Sequence, residues 1–220
     1  ILDFDRCLGN KNVYTLFDEV VAETKGIDIE KLKKIRREVE SNGESFDTLS
    51  WLKYEPMHDE GTIKRLSNEY IRRADERGND RFLSRGAKEL LTYLESAETL
   101  YMIMTYGGKD YQMLKLRAAG LQNVPTEIVA RKEKAVYIAR WWDEAQRKFV
   151  VPLPNRTPVS VDTVVLVDDK AISFHNLPER ASGYWVRDDD NITASQTGVV
   201  PKSVKALGSL NEVLEDIKRQ

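Results

Sequence analysis

Hydrophobic positions along the chain follow two different patterns, and the change between them falls near residue 80. Between residues 13 and 70 the apolar positions recur every three or four residues, as on one face of an amphipathic helix. The clearest groups are Leu16, Phe17, Val20 and Val21, then Leu32, Ile35 and Val39. The pattern also predicts a helix over residues 62–73 and no strand in this block. We therefore interpret residues 13–79 as a helical subdomain.

Short continuous apolar runs alternate with helical segments in the rest of the chain. We predict buried strands at residues 1–5, 100–104, 127–129, 163–167 and 184–186. The predicted helices lie at residues 86–94, 110–119, 134–142 and 204–217, and the proline-containing segment 149–162 is predicted to be an irregular connection. Such alternation is typical of βαβ units around a parallel sheet. The sequence thus predicts an α/β core formed by residues 1–12 and 80–220, with the helical block 13–79 inserted into it.

Composition and net charge exclude several classes of protein and of binding partner. Hydrophobic residues make up 41% of the chain and charged residues 32%, which is typical of a globular domain and not of a disordered one. The formal net charge is −2, so no basic footprint for nucleic acid or an anionic membrane is expected. The single cysteine, Cys7, excludes an internal disulfide framework and fits a reducing compartment.

Targeting signals are not evident in the printed sequence. No apolar run approaches the roughly 20 residues that span a bilayer, and no signal-peptide core is present. The chain opens at Ile1, already inside an apolar run, which leaves room for further strand residues or a removed targeting segment before it. We expect a cytoplasmic protein whose partners do not include nucleic acid or membrane.

Three of the predicted strands end in polar residues that carry chemistry. These ends are Asp3-Phe4-Asp5, Thr105 and Asp168-Asp169, and a candidate lysine, Lys134, lies between the second and the third. The carboxyl ends of parallel strands gather at one edge of the sheet, where function concentrates. A lone Asp-x-Asp occurs by chance in many proteins, but this ordered series is far more specific.

In this order and spacing the chain resembles the haloacid dehalogenase superfamily, whose members are mostly Mg²⁺-dependent phosphatases. The matching segments are the strand ending in Asp-x-Asp at 1–5, the strand ending in threonine at 100–105, Lys134 at a helix start, and the strand ending in an acidic pair at 164–169. Residues 83–91 also resemble the segment that leads back from a helical cap into the core. The resemblance implies a three-layer Rossmann-like core with an inserted helical cap.

The resemblance also implies a division of roles for a phosphatase. Asp3 would be the nucleophile that forms an aspartyl-phosphate, and Asp5 would protonate the leaving group and then activate water. Thr105 and the amides of Tyr106 and Gly107 would hold the phosphoryl oxygens, while Lys134 would stabilise their charge. We also expect the chain to turn out of the strand at about Phe4, so that Asp3 and Asp5 both reach one site.

The implied cofactor is Mg²⁺, which prefers oxygen ligands. Its ligands would be the Asp3 carboxylate, the Asp5 backbone carbonyl and the acidic pair Asp168 and Asp169. Within the pair we assign Asp169 to the metal, and we expect Asp168 also to orient Lys134.

Two residues depart from the family pattern, which usually has glycine and threonine after the second aspartate. This chain has Arg6 and Cys7 there. A guanidinium at this place would bind an anionic substrate or pair with the acidic cluster, and the loss of a hydroxyl would reduce or redirect activity. Lys132 is the alternative to Lys134 as the motif lysine, because both belong to one charged helix start.

Each residue also has a purely structural interpretation. Asp3 and Asp5 can mark a strand exit, Asp169 can cap a helix, and Thr105 can be a turn residue. Two further segments could contact a ligand, but we interpret the first as a packed cap core and the second as a solvated turn. They are Trp51, Tyr54, Met57 and His58, and Asp188, Asp189 and Asp190.

These inferences predict a Mg²⁺-dependent phosphatase acting on a small phosphorylated metabolite, because an inserted cap would exclude bulky substrates. One alternative is a phosphonate or halo-acid hydrolase of the same superfamily; Asp5 argues against halide release, which needs no acid. Another is a catalytically weak binding or regulatory module that uses the fold as a scaffold. The sequence specifies neither the substrate nor the oligomeric state.

Overall fold

The computed structural model describes residues 1–42, 44–54, 59–154, 156–187 and 199–219. Met57, His58 and the aspartates at 188–190 lie outside the described residues. The helices are α1 (Asn12–Lys25), α2 (Ile29–Ser41), α3 (Thr48–Tyr54), α4 (Glu60–Arg77), α5 (Ala87–Ser96), α6 (Lys109–Ala118), α7 (Lys134–Arg140) and α8 (Leu210–Lys218). The strands are β1 (Ile103–Tyr106), β2 (Thr126–Val129), β3 (Trp142–Asp143), β4 (Lys148–Val151), β5 (Val159–Val161), β6 (Val164–Asp168), β7 (Ala181–Val186) and β8 (Val204–Leu207).

Packing divides the chain into two compact units. The sheet unit comprises Ile1–Leu8, Ser84–Tyr106 and Val124–Gln220, and the helical unit comprises Gly9–Leu83 and Gly107–Asn123. The helical unit therefore contains α6 in addition to the segment 13–79 that the sequence pattern indicates. Throughout the described part of the chain, each helix is too short or too polar to cross a bilayer.

The helical unit forms because α1 to α4 and α6 share an apolar interior. The α1 positions predicted to face a core are all buried, and the Phe17 ring packs edge-on against Tyr70 of α4, with ring centroids 5.2 Å apart. Phe17 also contacts Tyr111 of α6 at 5.4 Å, which places α6 in the same interior. Side-chain caps fix two helix starts: Asp28 accepts from the Glu30 amide at 2.9 Å, and Asp59 accepts from the Thr62 amide at 2.7 Å.

A buried ion pair lies inside the helical unit where the sequence pattern predicts apolar contact. Arg36 of α2 donates to both carboxylate oxygens of Asp18 on α1, at 2.8 and 2.9 Å from Nη2. Thr48 accepts from the same nitrogen at 2.9 Å and donates to Asp18 at 2.7 Å. The guanidinium lies 4.5 Å from the Tyr14 ring centroid. Arg36 can be buried because the ion pair and the hydrogen bond satisfy it.

The sheet unit is built on a parallel sheet that orders its elements β2, β1, the segment at Leu2, β6, β7 and β8. One apolar cluster joins its strands to α7 and to the small antiparallel sheet β3-β4-β5. Representative members are Met104, Val129, Ile138, Phe149, Leu166 and Phe174. This architecture confirms the predicted Rossmann-like α/β class.

Several predicted elements differ from the observed ones. The residues predicted to begin a terminal helix at 204 form β8 instead, and α8 begins after Ser209, whose side chain accepts from the Glu212 amide at 3.3 Å. Gly208 and Ser209 interrupt the apolar pattern, and the cap defines the later start. The segment 149–162 is not the irregular connection that the sequence predicts, because it contains most of β4 and all of β5. The helix predicted over 134–142 is shorter than expected: α7 ends at Arg140, and Trp142 lies in β3.

Candidate active site

The first segment of the chain pairs with strands on both sides but is shorter than the predicted strand. Leu2 forms parallel bridges to Ile103 of β1 and Val167 of β6. The Asp3 amide donates to the Val167 carbonyl at 2.8 Å, and the chain then turns, with the Cys7 amide donating to the Phe4 carbonyl at 3.2 Å. Asp3 thus lies at the carboxyl end of the sheet, and the chain turns at Phe4, as predicted.

Lys134 lies between two of the predicted site carboxylates. Its ammonium contacts Asp3 Oδ1 and lies 2.6 Å from Asp168 Oδ2. All three side chains are buried. Lys134 is the first residue of α7, so the helix start aims the side chain at the strand ends. The alternative lysine, Lys132, lies 5.3 Å from the Tyr106 ring centroid.

Asp169 completes a buried acidic trio that we define as Asp3, Asp168 and Asp169. One carboxylate oxygen from each lies within 4.8 Å of the others. The Trp185 indole fixes the backbone at this point by donating to the Asp169 carbonyl at 3.0 Å. Lys170 Nζ lies 3.2 Å from Asp169 Oδ1.

The electrostatics of the trio reflect carboxylates taken out of water. Burial raises the pKa of Asp3 to about 7, against the opposing effect of Lys134. Burial likewise raises the pKa of Asp169. Burial alone would lower the pKa of Lys134, but the Asp168 and Asp3 carboxylates outweigh it and raise that pKa.

The trio fits a divalent cation. Among the described residues Asp3 Oδ2 is buried without a hydrogen-bond partner, which is costly for a carboxylate oxygen unless a cation or a proton binds it. The donors are all carboxylate oxygens, the ligand type that Mg²⁺ prefers. The donor set and the unpartnered oxygen therefore suit Mg²⁺ at Asp3, Asp168 and Asp169.

The predicted phosphate-binding residues lie around the end of β1. Thr105 is fully buried within β1, and Tyr106 is the last residue of that strand. Gly107 is the first residue of the second segment of the helical unit, Gly107–Asn123. Its φ of 140° would be strained for a residue that has a side chain. A Cβ at Gly107 would also lie 2.6 Å from Gln112 Nε2.

Asp5, Arg6 and Cys7 occupy the turn after Asp3. Burial lowers the pKa of Lys170, but the carboxylates of Asp169, Asp3, Asp168 and, least of all, Asp5 outweigh it and raise that pKa. Arg6 has a φ of 63°, in the left-handed region that favours glycine, the residue that the family pattern has here. Cys7 is buried, and its Sγ lies 3.9 Å from the Val167 carbonyl.

The sequence reasoning missed Lys170 and Trp185. Lys170 directly follows the acidic pair, but adjacency alone does not show that a side chain folds back onto its neighbour. Trp185 belongs to a predicted strand, and only its indole hydrogen bond connects it to the site.

Comparisons with known proteins identify the fold. No protein-family model matches the chain, and no curated protein matches it. A solved structure described as a candidate haloacid dehalogenase-like hydrolase from Burkholderia xenovorans LB400 is 15% identical, with a TM-score of 0.56 over 99% of this chain and 95% of that one. The candidate HAD-hydrolase YfnB from Bacillus subtilis, bound to magnesium, is 16% identical, with a TM-score of 0.54 over 98% of this chain and 96% of that one. The chain therefore has the fold of the haloacid dehalogenase-like hydrolases.

Proposed function

We propose that this protein is a hydrolase, and more specifically a Mg²⁺-dependent phosphatase that acts on a small phosphorylated metabolite. The observation that carries the proposal is the buried contact of Lys134 with both Asp3 and Asp168, beside the partnerless Asp3 Oδ2. Phosphoryl transfer requires a carboxylate, an ammonium and a cation-binding acidic group, and these groups lie together at one edge of the sheet. The magnesium bound to YfnB, a protein of the same fold, supports the choice of metal.

Two steps account for hydrolysis. In the first, an Asp3 carboxylate oxygen bonds to phosphorus while the bond to the leaving oxygen breaks, and Asp5 gives that oxygen its proton. In the second, Asp5 takes a proton from water as the water oxygen bonds to phosphorus and the bond to Asp3 breaks. Inorganic phosphate leaves, and both carboxyl groups return to their starting states.

The remaining site residues stabilise charge during these steps. Lys134, held by Asp168, places its ammonium beside the nucleophile, and the Thr105 hydroxyl is a donor for a phosphoryl oxygen. Asp3, Asp169, Asp168 and the Asp5 carbonyl would hold Mg²⁺, which would supply positive charge to offset the negative charge on the phosphoryl group.

The test is a screen of phosphorylated sugars, nucleotides and acids, together with an aryl phosphate, using purified protein with Mg²⁺ or with a chelator. Phosphate release should require Mg²⁺ and disappear in the Asp3→Asn variant. Asp162→Asn is a matched control, because the Asp162 side chain is 81% exposed and lies outside the site. Activity undiminished by the chelator would contradict the metal assignment.

The same protein preparation tests the alternatives. Halide release from a 2-halo acid, or trapping of a phosphonate substrate on a lysine by borohydride, would replace the phosphatase with another hydrolase. A protein inert across every substrate would favour the binding module.

A further inference from the structure

Lys170 is a second lysine at the acidic trio, and the proposed reaction does not use it. Its ammonium lies 3.2 Å from Asp169 Oδ1, and its backbone amide donates to Asp168 Oδ1 at 2.8 Å. The side chain is only 19% exposed, while that of Asp169 is buried. The hydrogen bond from the Lys170 backbone amide fixes the position from which the side chain starts, so the ammonium is held toward the trio.

The two lysines divide the three carboxylates between them. Lys134 contacts Asp3 and Asp168, and Lys170 contacts Asp169. Each carboxylate of the trio therefore has an ammonium in contact. The carboxylates of Asp169, Asp3, Asp168 and Asp5 raise the pKa of Lys170 although its burial opposes them, so the lysine stays charged at neutral pH.

A divalent cation and the Lys170 ammonium need the same carboxylate. The Asp169 carboxylate cannot bind a close ammonium and a metal ion without a loss of affinity for one of them, because the two cations repel each other at short range. We propose that Lys170 is a positioning residue, the internal counter-ion of the trio, which holds Asp169 in the metal-free protein and competes with the divalent cation for it. This proposal rests on the proposed function only in taking the trio as the metal site.

Two measurable effects follow from the removal of the Lys170 charge. The metal-free protein loses stability, because Asp169 is left as a buried carboxylate without its ammonium. The metal-bound protein gains affinity, because the cation no longer displaces a competitor and the net negative charge of the ligand set increases. A group that only packs, or that only binds phosphate, would not produce this pair of opposite effects.

The test uses the full chain after chelator treatment and dialysis, at one pH and ionic strength. Mg²⁺ affinity is measured by titration calorimetry, and the melting temperature is measured without metal. Lys170→Met should tighten Mg²⁺ binding about tenfold or more, and it should lower the metal-free melting temperature by several degrees, as expected for an unpaired buried charge. Lys170→Arg keeps the charge and should restore both values toward those of the wild type.

Two further variants complete the design. Lys205→Met is the matched control, because it removes a lysine from an exposed ion pair with Asp216 and should change neither value. Lys170→Gln keeps a hydrogen-bond donor without the charge, and it replaces Lys170→Met if that variant does not fold.

Each contrary result has a defined meaning. Unchanged or weaker Mg²⁺ affinity in Lys170→Met would overturn the competition, and lower affinity for inorganic phosphate with unchanged Mg²⁺ affinity would assign Lys170 to the substrate instead. Absence of Mg²⁺ binding in wild type and variant alike would contradict both the metal assignment and the competition. Tighter Mg²⁺ binding in a protein without phosphatase activity would support the Lys170 proposal while contradicting the proposed function.

Discussion

Lys134 Nζ lies 2.6 Å from Asp168 Oδ2, and both side chains are almost completely hidden from solvent. The two residues come from different elements, the start of α7 and the end of β6, so one buried charge pair joins a helix to the sheet. The same ammonium contacts Asp3, so the pair connects the stability of the sheet unit with the proposed reaction.

Replacing Lys134 with methionine should destabilise the protein strongly. The variant leaves Asp3 and Asp168 buried without their cation, and breaking a buried pair in this way costs about 3–5 kcal/mol in the free energy of unfolding. Urea denaturation of the metal-free protein measures the change, with Lys205→Met as a surface control expected within about 0.5 kcal/mol of wild type. A loss below about 1 kcal/mol for Lys134→Met would contradict the importance of the contact.

Asp3 and Asp5 should differ in which step their variants block. Asp3→Asn removes the proposed nucleophile, so turnover should fall by a factor on the order of 10⁴ or more, and no phosphate should be trapped on the protein. Asp5→Asn should lower turnover by about 10²–10⁴, yet still accumulate phosphorylated protein from an aryl phosphate, whose leaving group needs no acid. Acid quench with labelled substrate measures the trapped phosphate, and labelled Asp3→Asn protein would show that the roles are wrongly assigned.

Glycine should be more stable than alanine at position 6. A non-glycine residue at a φ of 63° has a backbone penalty of roughly 1–2 kcal/mol, and glycine avoids it, although glycine destabilises the fold by about 0.5–1 kcal/mol through the greater entropy of the unfolded chain. Arg6→Gly and Arg6→Ala both remove the guanidinium, so their difference in denaturant unfolding isolates the backbone, and we expect it to favour glycine by about 0.5–1 kcal/mol. Equal stability of the two variants would contradict a backbone penalty at this position.

The same Arg6 variant separates an enzyme from a scaffold. If Arg6 binds an anionic group of the substrate, Arg6→Gly should lower kcat/KM about ten- to a hundredfold on that substrate and much less on an aryl phosphate. If Arg6 obstructs a site that is not catalytic, the glycine should raise aryl phosphatase activity above that of the wild type. The sign of the change on the aryl phosphate distinguishes the two.

The buried ion pair of the helical unit should respond differently to single and double substitution. Asp18→Ala leaves the Arg36 guanidinium buried without its carboxylate and should cost about 3–5 kcal/mol of unfolding free energy. The double variant Asp18→Leu with Arg36→Met replaces both charges by apolar groups and should recover most of that loss. A double variant as unstable as the single one would show that shape, and not charge, dominates at this position.

Acid should weaken the ion-pair cluster on α4. Hydrogen bonds from Arg72 and then Arg73 lower the pKa of Glu69 to about 2, below its ordinary value of 4.5. A lowered folded-state pKa means that the contribution is present above pH 4.5 and is lost as the pH falls toward 2. Carboxyl NMR of Glu69 should show the low midpoint, and salt should move it upward because the cluster is exposed.

The strand ends were the most predictable part of the site. Apolar runs that stop at Asp3, Thr105 and Asp168 are visible in the sequence, and a parallel sheet must bring such ends to one edge. The position of Lys134 beside Asp3 and Asp168 depends on the start of α7, which the sequence indicates only to within a few residues.

Other features could not be inferred from apolar periodicity. Apolar periodicity predicts that Ile35 and Val39 of α2 face the core, yet Arg36 is buried there. A buried guanidinium depends on partners from α1 and α3, which are distant in sequence and leave no periodic signal. Apolar periodicity predicts a helix at β8, because four residues are too few to distinguish the helical period from that of a strand. The folding back of Lys170 onto Asp169 is a tertiary contact with no periodic signal.

The discontinuity of the helical unit limits how it can be exchanged. The polypeptide passes between the two units four times. The helix α6, whose Tyr111 and Leu116 are buried, is separated in sequence from the other helices of its unit by Ser84–Tyr106, which belongs to the sheet unit. A chimera that replaced only residues 9–83 with the corresponding block of another protein would present foreign side chains to the apolar face of α6. Transplantation of this unit therefore requires two cassettes, 9–83 and 107–123, moved together so that their facing surfaces stay matched.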